Sequence, residues 1–198
     1  MDVKVAKSLQ KAVGVNDDGV VGAGTLSAVY RKLGASQATA ELLGKASNVF
    51  LRNYGILDNH LLLAHFLAQA AKETGGFQFF VEIASGQAYE WRKDLGNTIA
   101  GYGVKYKGHG IFQLTGYDNY VQYTKYTGID LVTNPKRAAE PDLSVYIACE
   151  FWKRKGMEEL ALKDDILGVT RKVNGGTNGL EDRKMYLKKI KGWMGLKA

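Results

Sequence analysis

The run HLLLAHFLAQAAKETGGFQFFVE, residues 60–82, decides how this chain is read. Apolar side chains recur through its first half at helical intervals, which predicts a helix over 59–74. Gly75 and Gly76 then break it and let the chain turn back. Counting back from Glu73 in helical steps reaches Gln69, Phe66 and Leu62, so this carboxylate leans along a mainly apolar face at the helix end. Glu82 follows nine residues later, and on an unbroken helix nine steps of about 100° would place it on the opposite side. One acid from a helix end and a second from the following loop, folded back toward each other, are the basic equipment of glycosidic bond hydrolysis. Two Glu near a helix end also occur as ordinary surface charges, so the continuation of the chain has to decide between these readings.

Around this stretch the pattern is helical. Periodicity and Gly or Pro breaks predict helices over 38–54, 117–127, 142–155, 164–174 and 180–193. Between Gly75 and Gly116 the texture changes to glycines and aromatics with little period, as in loops that carry sites. Residues 3–33 read as two short helices around a turn, with Leu9, Val13, Leu26, Val29 and Leu33 at helical spacing and Thr25 placed to cap the second. Asp17-Asp18-Gly19 lacks the further ligands of a calcium loop and reads as a turn. The pieces LQ, DGVVG and T..AV in this segment resemble a shortened peptidoglycan-binding helical module. Residues 1–36 are therefore expected to form a small helical segment of that kind, ahead of a catalytic domain over 37–198.

Composition sets the outer limits. The 198 residues are 45% hydrophobic, enough for a core, and carry a net charge of +7 with a pI near 9.3. That balance suits polyanionic surroundings such as nucleic acid, anionic lipid or a bacterial wall. The stretch Arg183 to Ala198 contains bases and no acid, fitting either a solvated terminal helix or a contact with an anionic surface. A single cysteine, Cys149, sits in an apolar run and reads as a buried hydrophobe in a chain folded under reducing conditions. The N-terminus MDVKVAKSLQ lacks the apolar core of a secretory signal, and no apolar run approaches the roughly 18 residues of a membrane span. The expectation is a chain made in a bacterial cytoplasm without stable membrane insertion. His60, His65 and His109 lack metal-ligand spacing, and Gly101–Gly110 lacks the flanking elements of a phosphate cradle, so neither metal nor cofactor is expected. No nucleic-acid motif accompanies the charge.

Residues 82–120, EIASGQAYEWRKDLGNTIAGYGVKYKGHGIFQLTGYDNY, supply the decision. Together with AQAAKETGGF before them, they resemble glycoside hydrolase family 19, the chitinases and related phage endolysins. That family runs AQ..HETGGF and then E..SG.AYEGR.DLGNT..GDG...KGRG.IQLTG..NY. Later pieces agree in the same order: Asn134-Pro135, EFW at 150–152, and VTRKVNGGTNGLEDR at 169–183. The resemblance spans about 120 residues. It implies an all-α, lysozyme-like fold of two helical lobes with a central substrate groove, one wall being the loop from Gly75 to Gly116.

By the same resemblance Glu73 is the proton donor and Glu82 the base that activates water in an inverting reaction. Thr115 holds that water, and Gln113, Asn119 and Tyr120 line the sugar groove. Asn174 and Arg183 bind substrate and steady the acid pair, with Arg183 expected beside Glu82. The chain departs from the family pattern at Lys72 for His, Trp91 for Gly, Tyr102 for Asp and His109 for Arg, and Glu90 is a second candidate base. The implied function is that of an endolysin, a monomer that cuts peptidoglycan glycan strands and reaches the wall with the help of a membrane-permeabilising holin. A chitinase is the neighbouring alternative, and a non-catalytic wall-binding protein the alternative of another class.

Overall fold

The structure, a computed structural model, describes residues 1–197. Ten helices follow in order: α1 (Val3–Val13), α2 (Ala23–Leu33), α3 (Gln37–Asn53), α4 (His60–Glu73), α5 (Tyr102–Lys105), α6 (Tyr117–Thr127), α7 (Pro141–Arg154), α8 (Met157–Leu162), α9 (Ile166–Asn174) and α10 (Leu180–Trp193). Short 3₁₀ turns lie at Gln87–Tyr89, Lys93–Leu95 and Pro135–Ala139. Only isolated β-bridges occur among the described residues, so the fold is all-α as the periodicity predicted. No helix among them is long and apolar enough to cross a membrane.

Helix α4 is the axis. Every residue from Leu62 to Ala71 is buried, the condition of a helix that is hydrophobic all round. It is wrapped by α8, α9 and α10. His65 on α4 lies fully inside, where its Nε2 is 2.9 Å from Asp164 Oδ1, and Lys191 of α10 donates to the other oxygen of Asp164 at 2.6 Å.

Two hydrophobic clusters define the two lobes. The larger gathers α1 to α4 with α8 to α10, and the smaller gathers Tyr106, Leu114, Tyr120, Tyr123 and Leu131 around α6. Helix α7 serves both, because helical spacing divides its apolar residues between two faces. Val145, Ala148, Cys149 and Trp152 point into the larger cluster, whereas Leu143 and Ile147, four apart, point into the smaller.

Residues 1–36 share the larger core. Ala6, Leu9, Val21, Leu26, Val29, Tyr30 and Leu33 belong to the same cluster as Leu63 and Phe66 of α4. Asp17-Asp18-Gly19 is a turn, pinned by Gln10, which donates to Asp18 Oδ1 at 2.7 Å and accepts from the Gly19 N–H at 2.8 Å. This segment also braces the break after α4. Gly75, Gly76 and Phe77 adopt φ of 57°, 76° and 64°, three left-handed residues in succession. Phe77 is not a glycine, and that conformation costs it about 1–2 kcal/mol. Its ring is 1% exposed and packs edge-on to Tyr30 of α2 at 4.8 Å. Burial of about 1.5–3 kcal/mol, plus an aromatic contact of about 0.5–1.5 kcal/mol, outweighs the strain.

Candidate active site

The reversal after α4 sends the chain back in extended form over Phe80 to Glu82. Thr74 organises the turn: its hydroxyl donates to the Ala70 carbonyl at 2.7 Å and accepts from the Phe77 N–H at 2.8 Å. Glu82 N–H then donates to the Gly108 carbonyl at 2.8 Å, and Gly110 N–H donates to Phe80 at 2.7 Å. Val81 thus pairs antiparallel with His109, which pairs in turn with Leu114. Because side chains alternate along extended chain, Glu82 and Gly108 share one face of this small ribbon, and Val81, Lys107 and His109 share the other.

Both oxygens of Glu82 are engaged. Tyr89 hydroxyl donates to Oε1 at 2.8 Å, and Gly108 N–H donates to Oε2 at 2.9 Å. Burial, and next the neighbouring Glu82, push the Tyr89 hydroxyl above its ordinary value, so it remains a protonated donor. The absence of a side chain at Gly108 leaves room for two neighbours. A Cβ there would lie 2.5 Å from Gln113 Oε1 and 3.1 Å from Glu82 Oε2, so these two side chains meet over Gly108.

Glu73 is held from the other lobe. Arg183, in the first turn of α10 and 2% exposed, donates to Glu73 Oε1 and to Gln69 Oε1 one helical turn earlier. Gln69 Nε2 donates in turn to Thr170 of α9 at 3.3 Å, so α4, α9 and α10 are tied beneath the carboxylate. Glu73 Oε2 accepts no hydrogen bond among the described residues. The family resemblance implies Arg183 beside Glu82. The structure corrects this, because α10 packs on α4 and carries the guanidinium to Glu73.

Gln113, Thr115 and Asn119 line one cleft of about 620 Å³ with Phe112, Tyr123 and Tyr126. Their donors serve the local backbone: Gln113 Nε2 to Gly110 at 2.8 Å, Thr115 hydroxyl to Gln113 at 2.9 Å, and Asn119 Nδ2 to Thr115 at 2.7 Å. The oxygens of these side chains remain for a ligand rich in O–H and N–H donors. Gln113 has φ of 50°, a left-handed residue held at the rim of the cleft. Neither Glu73 nor Glu82 lines this cleft, which Glu82 adjoins through Gln113.

Tyr120, expected in the groove, takes another position, and Asn174, expected to bind substrate, is exposed with its amide engaged locally. Tyr120 is fully buried beneath the groove, donating to the Lys107 carbonyl at 3.1 Å and lying 2.6 Å from His109 Nδ1. Its ring belongs to the smaller core, which is why an aromatic in a groove motif does not reach the groove. Asn174 spends its amide on its own loop, donating to Asn178 at 2.8 Å and accepting from Gly176 N–H at 2.9 Å. Glu90, the second candidate base, accepts from Gly101 and Val104 N–H at 3.1 and 3.2 Å and so caps α5. His109, 3% exposed, is pushed below its ordinary value by burial first. Tyr89 and Gly108 lie inside the quoted family pattern, where nothing in the sequence distinguishes them from their neighbours, and Gln69 shows in the sequence as a residue on the face of Glu73. No group of three or more His, Cys, Asp or Glu among the described residues is arranged to hold a metal ion.

No protein-family model matches the chain. A glycosyl hydrolase family 19 domain-containing protein of Haemophilus influenzae is 32% identical over 160 residues, covering 65% of this chain and 78% of that protein. An endochitinase of Arabidopsis thaliana is 33% identical over 116 residues, 58% of this chain and 39% of that protein, so the chain spans well under half of it. Among solved structures, the family GH19 class IV chitinase of Zea mays superposes with a TM-score of 0.66 at 20% identity, covering 89% of this chain and 94% of that one. Chitinase C of Streptomyces griseus gives 0.63 at 15% identity, covering 98% and 94%. The structural matches share the fold. From its match to the Haemophilus relative, the chain belongs to glycosyl hydrolase family 19 and is a glycoside hydrolase.

Proposed function

We propose that this glycoside hydrolase cuts the glycan strands of bacterial peptidoglycan with inversion, as an endolysin, using Glu73 as the acid and Glu82 as the base. The observation that carries the proposal is the unequal treatment of the two carboxylates. Glu73 has one oxygen fixed by Arg183 and the other unengaged, a geometry suited to carrying a proton toward a glycosidic oxygen. Glu82 is oriented by Tyr89 and Gly108 beside Gln113, at the edge of the cleft.

In this mechanism the leaving oxygen takes the proton from Glu73 Oε2 as the bond to the anomeric carbon breaks. Water attacks that carbon from the opposite face and gives its proton to Glu82. Thr115 orients the water, and Gln113 and Asn119 accept hydrogen bonds from the sugar. Arg183 keeps Glu73 in one rotamer, while Asn174 shapes the loop above α10. The enzyme acts as a monomer on the wall after synthesis in the host cytoplasm, with a membrane-permeabilising partner of the holin type. The net charge of +7 supports a polyanionic wall as the substrate. Chitin is the second reading, favoured by the similarity to the Arabidopsis endochitinase.

The test is to incubate the protein and Glu73→Gln with purified peptidoglycan and with a chitin oligomer, and to identify new chain ends by mass spectrometry. Reducing ends from peptidoglycan, absent with the variant, are expected. Cleavage of chitin alone would overturn the peptidoglycan reading.

A further inference from the structure

On the reverse face of the Glu82 ribbon lies a second cavity of about 880 Å³, unconnected with the roles assigned above. Its walls are Val81, Val104 and Pro135, and its rim carries Lys105, Lys107, Lys136 and Arg137 against the single acid Glu140. The buried His109 forms part of its floor, and the charges of Lys107 and Lys136 reach that imidazole. Lys107 is fixed, donating to the Glu82 and Ala84 carbonyls at 2.9 and 3.0 Å. Arg137 has Glu140 at 3.5 Å, whereas Lys105 and Lys136 make no salt bridge among the described residues. Val81 and Val104 are 41% and 42% exposed, so the cavity offers water an apolar wall under a cationic rim.

A neutral glycan does not call for this combination. A ligand carrying carboxylates on a backbone with small apolar side chains does, through charge at the rim and methyl contact at the wall. We propose that this cavity binds the acidic peptide substituents of the glycan strand, so that strands bearing peptides are bound in preference to bare ones. The inference rests on the peptidoglycan reading above. The two sites lie on opposite faces of one ribbon whose outer edge, at Ile83, is 82% exposed. A peptide of four or five residues spans about 14–17 Å when extended, enough to leave a sugar near Glu82 and pass round that edge.

The experiment uses the full chain and a Lys136→Glu, Arg137→Glu variant, both positions being exposed and outside the proposed catalytic machinery. Peptide-bearing glycan strands are compared with the same strands stripped of peptide by an amidase, and kcat and KM are measured on each. The expected result is a KM raised roughly tenfold on peptide-bearing strands and unchanged on stripped strands. The difference should shrink at about 1 M salt, where the screening length is about 3 Å. Equal kinetics of variant and parent on both substrates would overturn the proposal, as would equal losses on both. If the parent protein cleaves stripped strands but no peptide-bearing ones, the cavity excludes peptides and the proposal fails while glycan cleavage stands. If it cleaves neither, the peptidoglycan reading itself fails and this inference falls with it.

Discussion

Gly108→Ala isolates the contact on which the Glu82 assignment depends. The residue lies outside the left-handed region, so alanine suits its backbone, and exchanging glycine for alanine at such a position contributes about 0.4–1 kcal/mol of stability through the unfolded chain. The new methyl would sit 3.1 Å from Glu82 Oε2 and 2.5 Å from Gln113 Oε1. Ordinary contact begins near 3.4 Å, so Glu82 must yield by about 0.3 Å and Gln113 by about 0.9 Å. Both are the far ends of flexible side chains, so the fold absorbs the change and Tm should move by no more than about 4 °C. A misplacement of about 1 Å at a reacting group costs about a hundredfold in rate. Scaled to about 0.3 Å, that is about fourfold from Glu82 alone, and the displaced Gln113 brings the expected loss in kcat to roughly tenfold. The assay is release of reducing ends from peptidoglycan, with a thermal melt on the same preparation. Activity within twofold of the parent at an unchanged Tm would rule out Glu82 as the positioned base, since the base would then tolerate displacement.

Tyr89→Phe removes one donor from Glu82 and should lower kcat about tenfold with little effect on Tm, measured by the same two assays. Glu90→Gln should retain most activity, because Glu90 caps the short α5, and should cost about 1 kcal/mol by chemical denaturation. Stability should also fall with acid through His65. Burial foremost pushes this imidazole below its ordinary value, so the unfolded chain takes up a proton first as pH falls. Its contribution is then full above about pH 6.5 and is lost between there and the lower folded value. A denaturation midpoint that stayed flat across that window would contradict this, and His65→Gln should weaken the dependence.

The fold was legible where physics is local. The apolar faces of α4 and α7, the breaks at Gly75-Gly76 and the turn at Asp17-Asp18-Gly19 follow from periodicity and backbone freedom, and each is where it was expected. The six-residue α8 and the four-residue α5 leave no periodic trace, since fewer than two turns of helix are too short to show a face. The division of α7 between two cores could not be read either, because Leu143 and Val145 are equally apolar and only the packing partner distinguishes them. At the site, the residue types were visible and their pairing was not. Arg183 lies 110 positions from Glu73, and nothing in either segment says which of two glutamates it meets. Tyr120 illustrates the converse: an aromatic with a polar tip can serve a groove or a core, and its partners His109 and Lys107, more than ten residues away, decide for the core. Residues 1–36 show a third limit, for their helical pattern predicted two helices correctly but gave no sign that Tyr30 and Gly34 buttress the turn behind Glu73.

Inversion requires that water attack the anomeric carbon from the face opposite the departing oxygen, with Glu82 as its base. Proton NMR of the first products of a β-linked oligosaccharide tests it directly, before mutarotation mixes the anomers. With Glu82 as base, the new reducing end should appear first as the α-anomer. An initial β-anomer would contradict it, because retention requires a nucleophile on the sugar rather than a base on the water.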